Sequence, residues 1–418
     1  MSTSKTAQRD QAAALTRCVS AAPAVFAREY WGVRPLYSPA SCLPADFSDL
    51  FSSAAADELL TDRALRTPFI RMAKEGAVLP PERFTAPGGF GAQVSDQVDS
   101  AMVLREFAEG ATIVLQGLHR SWPALRAFTR RLVAELGHPA QVNAYITPES
   151  SRGFDPHYDV HDVFVLQVSG EKHWSVHAPV REHPRADEPW SARRAAVEAR
   201  AREKPVIDVI MRPGDALYLP SGWLHSAVAR QGTSIHLTIG VAALTGADVV
   251  RELAAEVSRN PDLRAPLPIN RSDAGPDVLD GVVRKIISDF ARALEVHSAG
   301  DGPARTASAV RRSFQRMTRP EPVAPLATVD AANDLSPKAV IRLRDGLTAQ
   351  VDVDATGVHL AAADQALRLP AECEMAIRAL ASGERLWAGA LPDLDEADSL
   401  VVTRRLLRSG MLVAEPGD

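Results

Sequence analysis

Two segments, DPHYDVHDVFVLQVSGEKHW (155–174) and RPGDALYLPSGWLHSAV (212–228), limit what this chain can fold into more than any other feature. Both read as neighbouring strands of a small barrel. In the first, alternate residues of a strand share a face, so His157 and Asp159 project side by side and Tyr158 turns away. In the second, Gly214, five residues, Pro220, four residues and His225 form a spaced frame. Pro213-Gly214-Asp215 makes a tight turn, ALYLP a strand, and SGW a bend that presents His225. Two imidazoles and one carboxylate then occupy three positions on one face of a divalent metal, the set used by non-haem iron oxygenases, and leave three positions open.

Zinc accepts the same donors, so the triad alone leaves the metal open. The next residue that bears on the choice is Lys172, fifteen positions after His157. DVFVLQV reads as an apolar strand, SGE as a turn and KHWSV as the returning strand, which brings Lys172 back near the level of the three ligands. At a solvated hairpin tip the lysine would need no partner. Inside a barrel its ammonium would need one, and a bound dicarboxylate would serve. Of the other histidines, His173, His177 and His183 read as surface or hydrogen-bonded side chains. His161 does too, although its strand parity with His157 also suits an outer-shell group; His236, in SIHLTIG, reads as packed in a strand.

The run QVNAYITPESSRGFDPHYDVHDVFVLQVSGEKHW resembles the JmjC-type, cupin-fold 2-oxoglutarate oxygenases, in particular their ribosomal oxygenase branch. The Gly214/Pro220/His225 frame is similar to the second cupin motif, and LQGLHRSWPAL and SIHLTIGV fit the same family, over essentially the whole chain. The resemblance implies Fe(II) at His157, Asp159 and His225, with Lys172 gripping the far carboxylate of 2-oxoglutarate. It further implies that Asn143, Tyr145 and Thr238 line the co-substrate and substrate pocket. One departure is local: Glu171 and His173 flank the lysine where the family commonly has basic residues.

At 418 residues, two to three domains are expected. The expected class is α+β: a double-stranded β-helix (cupin, jelly-roll) catalytic barrel over 1–240, a helical dimerisation region over 241–328, and a winged-helix-like module over 329–418. Within the first part, PALRAFTRRLVAELG reads as a helix packed on the barrel. WSARRAAVEARAREKP reads as a charged helix inserted between the ligand strands, either a solvated cover or a lid. In the second, Val283, Ile287, Phe290 and Leu294 form a stripe at helical spacing. Such a stripe is usually core, but a connector has little to bury itself against, and the resemblance implies a homodimer. RPEPVAPLA reads as a linker. In the third, AVIRLRDGLTAQVDV suggests strand, turn, strand, followed by two helices and a final strand; Gly410 closes the second helix.

No apolar run approaches a membrane span of about 20 residues, and the polar MSTSKTAQRDQ start lacks a signal-peptide core. Only Cys18, Cys42 and Cys373 occur, widely separated, which argues against a disulfide framework or thiolate zinc site and suits a reducing cytoplasm. From Asp330 onward 15 acidic residues face 9 Lys and Arg, a net of −6 beside −5 for the whole chain. Direct nucleic-acid binding, which needs a basic face, is disfavoured. The leading expectation is an Fe(II)- and 2-oxoglutarate-dependent hydroxylase of an amino-acid side chain in a protein or peptide; histidine or arginine of a ribosomal protein is what the resemblance implies. Oxidation of a peptide natural product or a free amino acid, and a non-catalytic metal-binding cupin, are the alternatives. Lysine demethylation is disfavoured, since nothing suggests an aromatic cage.

Overall fold

In the run 163–166 both faces are apolar, as a strand covered on two sides requires. Phe164 and Leu166 turn into one core, and Val163 and Val165 into another. That division sets the layers of the computed structural model, which describes residues 13–415 except 92, 152–153, 268–275 and 363–364. The chain divides into two compact units, one ending at Ala243 and one starting at Leu244.

The strands of the first unit are β1 (Leu36–Ser38), β2 (Ile70–Lys74), β3 (Ala77–Val78), β4 (Thr85–Ala86), β5 (Gln97–Val98), β6 (Thr112–Leu115), β7 (Ala140–Thr147), β8 (Asp162–Ser169), β9 (Lys172–His177), β10 (Ile207–Met211), β11 (Ala216–Leu219), β12 (Leu224–Ala229) and β13 (Ser234–Val241). One sheet runs β1-β11-β8-β13-β7-β6-β2-β3, and a smaller one β10-β9-β12; every pairing in them is antiparallel. Face to face they make the expected jelly roll. The β8–β9 hairpin carries the chain from the large sheet to the small one, with β8 paired to β11 and β13 and β9 to β10 and β12. The outer face of the large sheet packs on helices, including α1 (Pro123–Leu136), whose Leu125, Phe128 and Leu132 are fully buried. Each such side chain contributes roughly 1.5–3 kcal/mol relative to exposure. Between the sheets lie Val163, Val165, Trp174, Val176 and Leu217, the first three of which also line the polar cavity.

The insert between the ligand segments holds a short 3-10 turn at Trp190–Arg193 and α2 (Arg194–Ala201). It is fastened rather than merely solvated: Val197, 1% exposed, packs with Tyr158 and Leu224, and the Tyr158 hydroxyl donates to the Glu188 carbonyl at 2.9 Å.

The second unit starts with α3 (Gly246–Val257), opened by a Thr245/Asp248 capping box. Then follow α4 (Pro276–Ala299), α5 (Gly302–Met317) and α6 (Pro325–Asn333). The stripe on α4 is not core within one chain, since Val283 is 46% and Ile287 63% exposed. The linker reading is too long at its end, because Pro325 already occupies the first position of α6, where a proline has no amide to lose.

The rest of the unit comprises β14 (Val340–Leu343), β15 (Ala349–Asp354), β16 (Gly357–Ala362), β17 (Gln365–Leu369), α7 (Glu374–Ala381), β18 (Leu386–Trp387), α8 (Glu396–Arg408) and β19 (Leu412–Ala414). The expected strand, turn and strand are present, and the two strands enter different sheets: β14 joins β18 and β19, whereas β15 joins β16 and β17. Gly410, at φ 68°, follows α8 as expected. No helix among the described residues is long and apolar enough to cross a membrane.

Candidate metal centre

His157 and His225 are held together by backbone before any metal is considered. Each amide donates to the other's carbonyl, His157 to His225 at 3.1 Å and the reverse at 2.8 Å, in an isolated antiparallel bridge. His225 stands on β12; His157 and Asp159 lie in the irregular stretch before β8, yet still alternate about the buried Tyr158. One ligand atom from each of His157, Asp159 and His225 falls within 4.8 Å of the others. His225 Nε2 is 3.8 Å from Asp159 Oδ2, and the imidazole centroids are 4.5 Å apart.

The outer nitrogens are engaged. His157 Nδ1 donates to the Asp155 carbonyl at 2.7 Å and His225 Nδ1 to the Trp223 carbonyl at 3.0 Å. That tautomer leaves both Nε2 lone pairs for a cation. Burial, with the neighbouring His157 second, pushes His225 down to about 4, so it is neutral at pH 7. Burial pushes the Asp159 carboxyl up, but His225, His157, His161 and Arg71 together outweigh it and hold the group below the ordinary range. Two imidazoles that offer Nε2 and one carboxylate fit a ferrous ion.

The cavity around them has a volume of about 250 Å³. Lys172 lines it from β9, 4% exposed, and donates to Thr147 Oγ1 at 3.0 Å; Thr112 in turn donates to that oxygen at 3.2 Å. Burial pushes the amine down to about 7. It is therefore no solvated hairpin tip, and among the described residues no carboxylate pairs with it. An amine of this kind fits the far carboxylate of a bound keto acid.

The structure brings His157, Asp159, His225, Lys172, Tyr145 and Thr238 to this one cavity. It does not bring Asn143, whose Oδ1 accepts from the Gly117 amide at 3.0 Å and so braces a loop. His161 stays outside the ligand set; its ring lies over Gly240, where a Cβ would approach Nε2 to 2.5 Å. His173 bonds Asp208 at 2.7 Å, and His177 is buried at 5%. His236 packs in β13 as expected but also lines the cavity, stacked on Tyr145 with centroids 5.0 Å apart; burial, then Lys172, keeps it neutral. Arg71, Thr112, Phe154, Trp174 and Trp190 line the cavity too, and sequence reading missed them. Only Arg71 left a sign, a charged residue alternating with the apolar Ile70 and Met72.

Residues 122–249, which hold β7 to β13 of the jelly roll with its His-x-Asp…His set and buried lysine, match the JmjC domain family. The chain is similar to the ribosomal oxygenases. It is 42% identical over 98 residues, 23% of its length, to the bifunctional lysine-specific demethylase and histidyl-hydroxylase NO66 of Drosophila persimilis, of which the stretch is 13%. It is 28% identical over 232 residues, 52% of its length, to ribosomal oxygenase 1 of Gallus gallus, of which they are 35%. The chain thus spans well under half the length of these curated relatives. Among solved structures, the Escherichia coli ribosomal oxygenase YcfD in complex with cobalt and 2-oxoglutarate shares the fold, with a TM-score of 0.50 at 17% identity, over 96% of this chain and 99% of that one.

Proposed function

We propose that the chain is an Fe(II)- and 2-oxoglutarate-dependent hydroxylase acting on an amino-acid side chain of a protein, with a ribosomal protein as host. The observation that carries the reading is one cavity holding an open-faced His157/Asp159/His225 set and a buried, carboxylate-free Lys172. The kinship with proteins called ribosomal oxygenase and histidyl-hydroxylase supports the choice of substrate.

His157, Asp159 and His225 would hold the metal, and Lys172 the far carboxylate of the keto acid. When bound, iron and keto acid supply dioxygen activation and oxygen insertion into a C–H bond, with the keto acid leaving as succinate and carbon dioxide. The chain's own residues bind and orient. Asp155 and Trp223 carbonyls fix the imidazole tautomers. Thr147 fixes the Lys172 amine, which neutralises charge rather than moving a proton. Tyr145, Thr238 and Trp190 wall the cavity, and Asn143 serves it indirectly by bracing the loop at Gly117.

The division into an oxygenase domain over 1–240, a dimerisation region over 241–328 and a winged-helix-like module over 329–418 belongs to the same reading. The exposed Val283, Ile286, Ile287 and Val296 of α4 support a homodimer. The acidic C-terminal module suits protein contact rather than nucleic acid, and the cytoplasm is the proposed location.

The test is mass spectrometry of ribosomal proteins from cells with and without the gene. One side chain should gain a single oxygen atom only where the gene is present, and should lose it with the Asp159→Asn variant. Identical masses in both cell types would overturn the proposed host.

A further inference from the structure

A cation is built into the wall of the cavity, and the metal and keto-acid anchors leave it unused. Arg71, the second residue of β2, stands in a cross-strand row with Val114 of β6, Tyr145 of β7 and His236 of β13. Arg71, Tyr145 and His236 of that row line the cavity. The guanidinium lies 5.4 Å over the Phe154 ring, and Phe154 in turn sits 6.0 Å from the His157 ring. The Arg71 Nε is buried with no partner. Its charge reaches Asp159, yet no carboxylate pairs with it among the described residues.

Of the acidic and basic side chains lining the cavity, one is a carboxylate, Asp159, and two are the cations Lys172 and Arg71. A ferrous ion and a keto-acid dianion cancel each other, so the loaded cavity keeps the excess positive charge that Arg71 contributes. Partly removed from water, that charge repels a further cation.

We infer that Arg71 is the specificity-determining residue of this cavity: its charge admits an uncharged target side chain, an imidazole or an amide, and rejects lysine and arginine. The inference rests on the hydroxylase reading and narrows it, favouring histidine over arginine.

Peptide pools with randomised flanks and a fixed central His, Gln, Lys or Arg would be offered to the full-length protein loaded with Fe(II) and 2-oxoglutarate. Anaerobic retention on the immobilised protein measures binding, and oxygen gain in air measures turnover. Retention of the His and Gln pools at least tenfold above the Lys and Arg pools is expected. Arg71→Gln should narrow that ratio to about threefold, and Arg71→Glu should reverse it. Equal retention of the four pools by the wild type, or an unchanged preference in both variants, would overturn the assignment. The iron–keto acid absorption band keeps the two readings apart. If the band forms and the preference is absent, Arg71 alone is misassigned; if no band forms, the hydroxylase reading fails first.

Discussion

Lys172→Met should make the protein more stable and greatly weaken its hold on the keto acid. The amine is 4% exposed and burial brings it from 10.5 to about 7, with Thr147 as its hydrogen-bond partner. A lysine whose folded pKa lies below its unfolded one destabilises the fold at any pH low enough to protonate the unfolded chain. The penalty is absent above about pH 10.5, grows as pH falls, and is complete below about 7. At 1.36 kcal/mol per unit, the shift corresponds to about 4 kcal/mol at neutral pH. Methionine keeps most of the apolar stem, and Thr112 still donates to Thr147. Unfolding by urea without metal or keto acid should show the variant more stable by about 2–4 kcal/mol at pH 7, a gain that shrinks towards pH 10. In the wild type, keto-acid affinity should weaken as pH rises through about 7, the charged amine being the binding form. A variant less stable than wild type at pH 7, or a difference independent of pH, would refute the burial argument.

Other outcomes follow from single contacts. Asp159→Asn removes the anionic ligand and should weaken Fe(II) binding about a hundredfold or more in an anaerobic competition assay, leaving the circular dichroism spectrum intact. Val197→Asp would set an unpaired carboxylate against Tyr158 and Leu224. It should loosen the insert and speed limited proteolysis within 190–204, with a cost of about 1–3 kcal/mol; an unchanged digestion pattern would contradict the fastening role of that contact. Ile287→Glu, at a 63% exposed position, should turn the proposed dimer into a monomer in sedimentation without lowering the unfolding midpoint.

The clustering of His157, Asp159 and His225 was legible because two independent patterns converge on them. Side-chain alternation aligned His157 with Asp159 even where the chain forms no strand ladder, and the Gly214/Pro220 frame delivered His225 to the same point. Lys172 was legible by counting along a hairpin, since a strand of known rise fixes where the chain returns. Arg71 was not, because it comes from β2, far upstream, and which face of β2 meets the cavity depends on a sheet order that no local pattern carries. Asn143 shows the opposite failure: it shares strand parity with Tyr145, but the neighbouring Gly117 amide claims its carbonyl. The α4 stripe was visible as periodicity, yet periodicity does not say whether a face meets its own chain or solvent.

The most direct test of the central claim is an anaerobic titration of the purified protein with Fe(II) and then 2-oxoglutarate, followed by visible absorption. A saturable charge-transfer band should appear with the wild type and be lost with Asp159→Asn. With Lys172→Met it should need far more keto acid although Fe(II) still binds. A wild-type protein that binds iron but never develops the band, or a band indifferent to Lys172, would contradict the account.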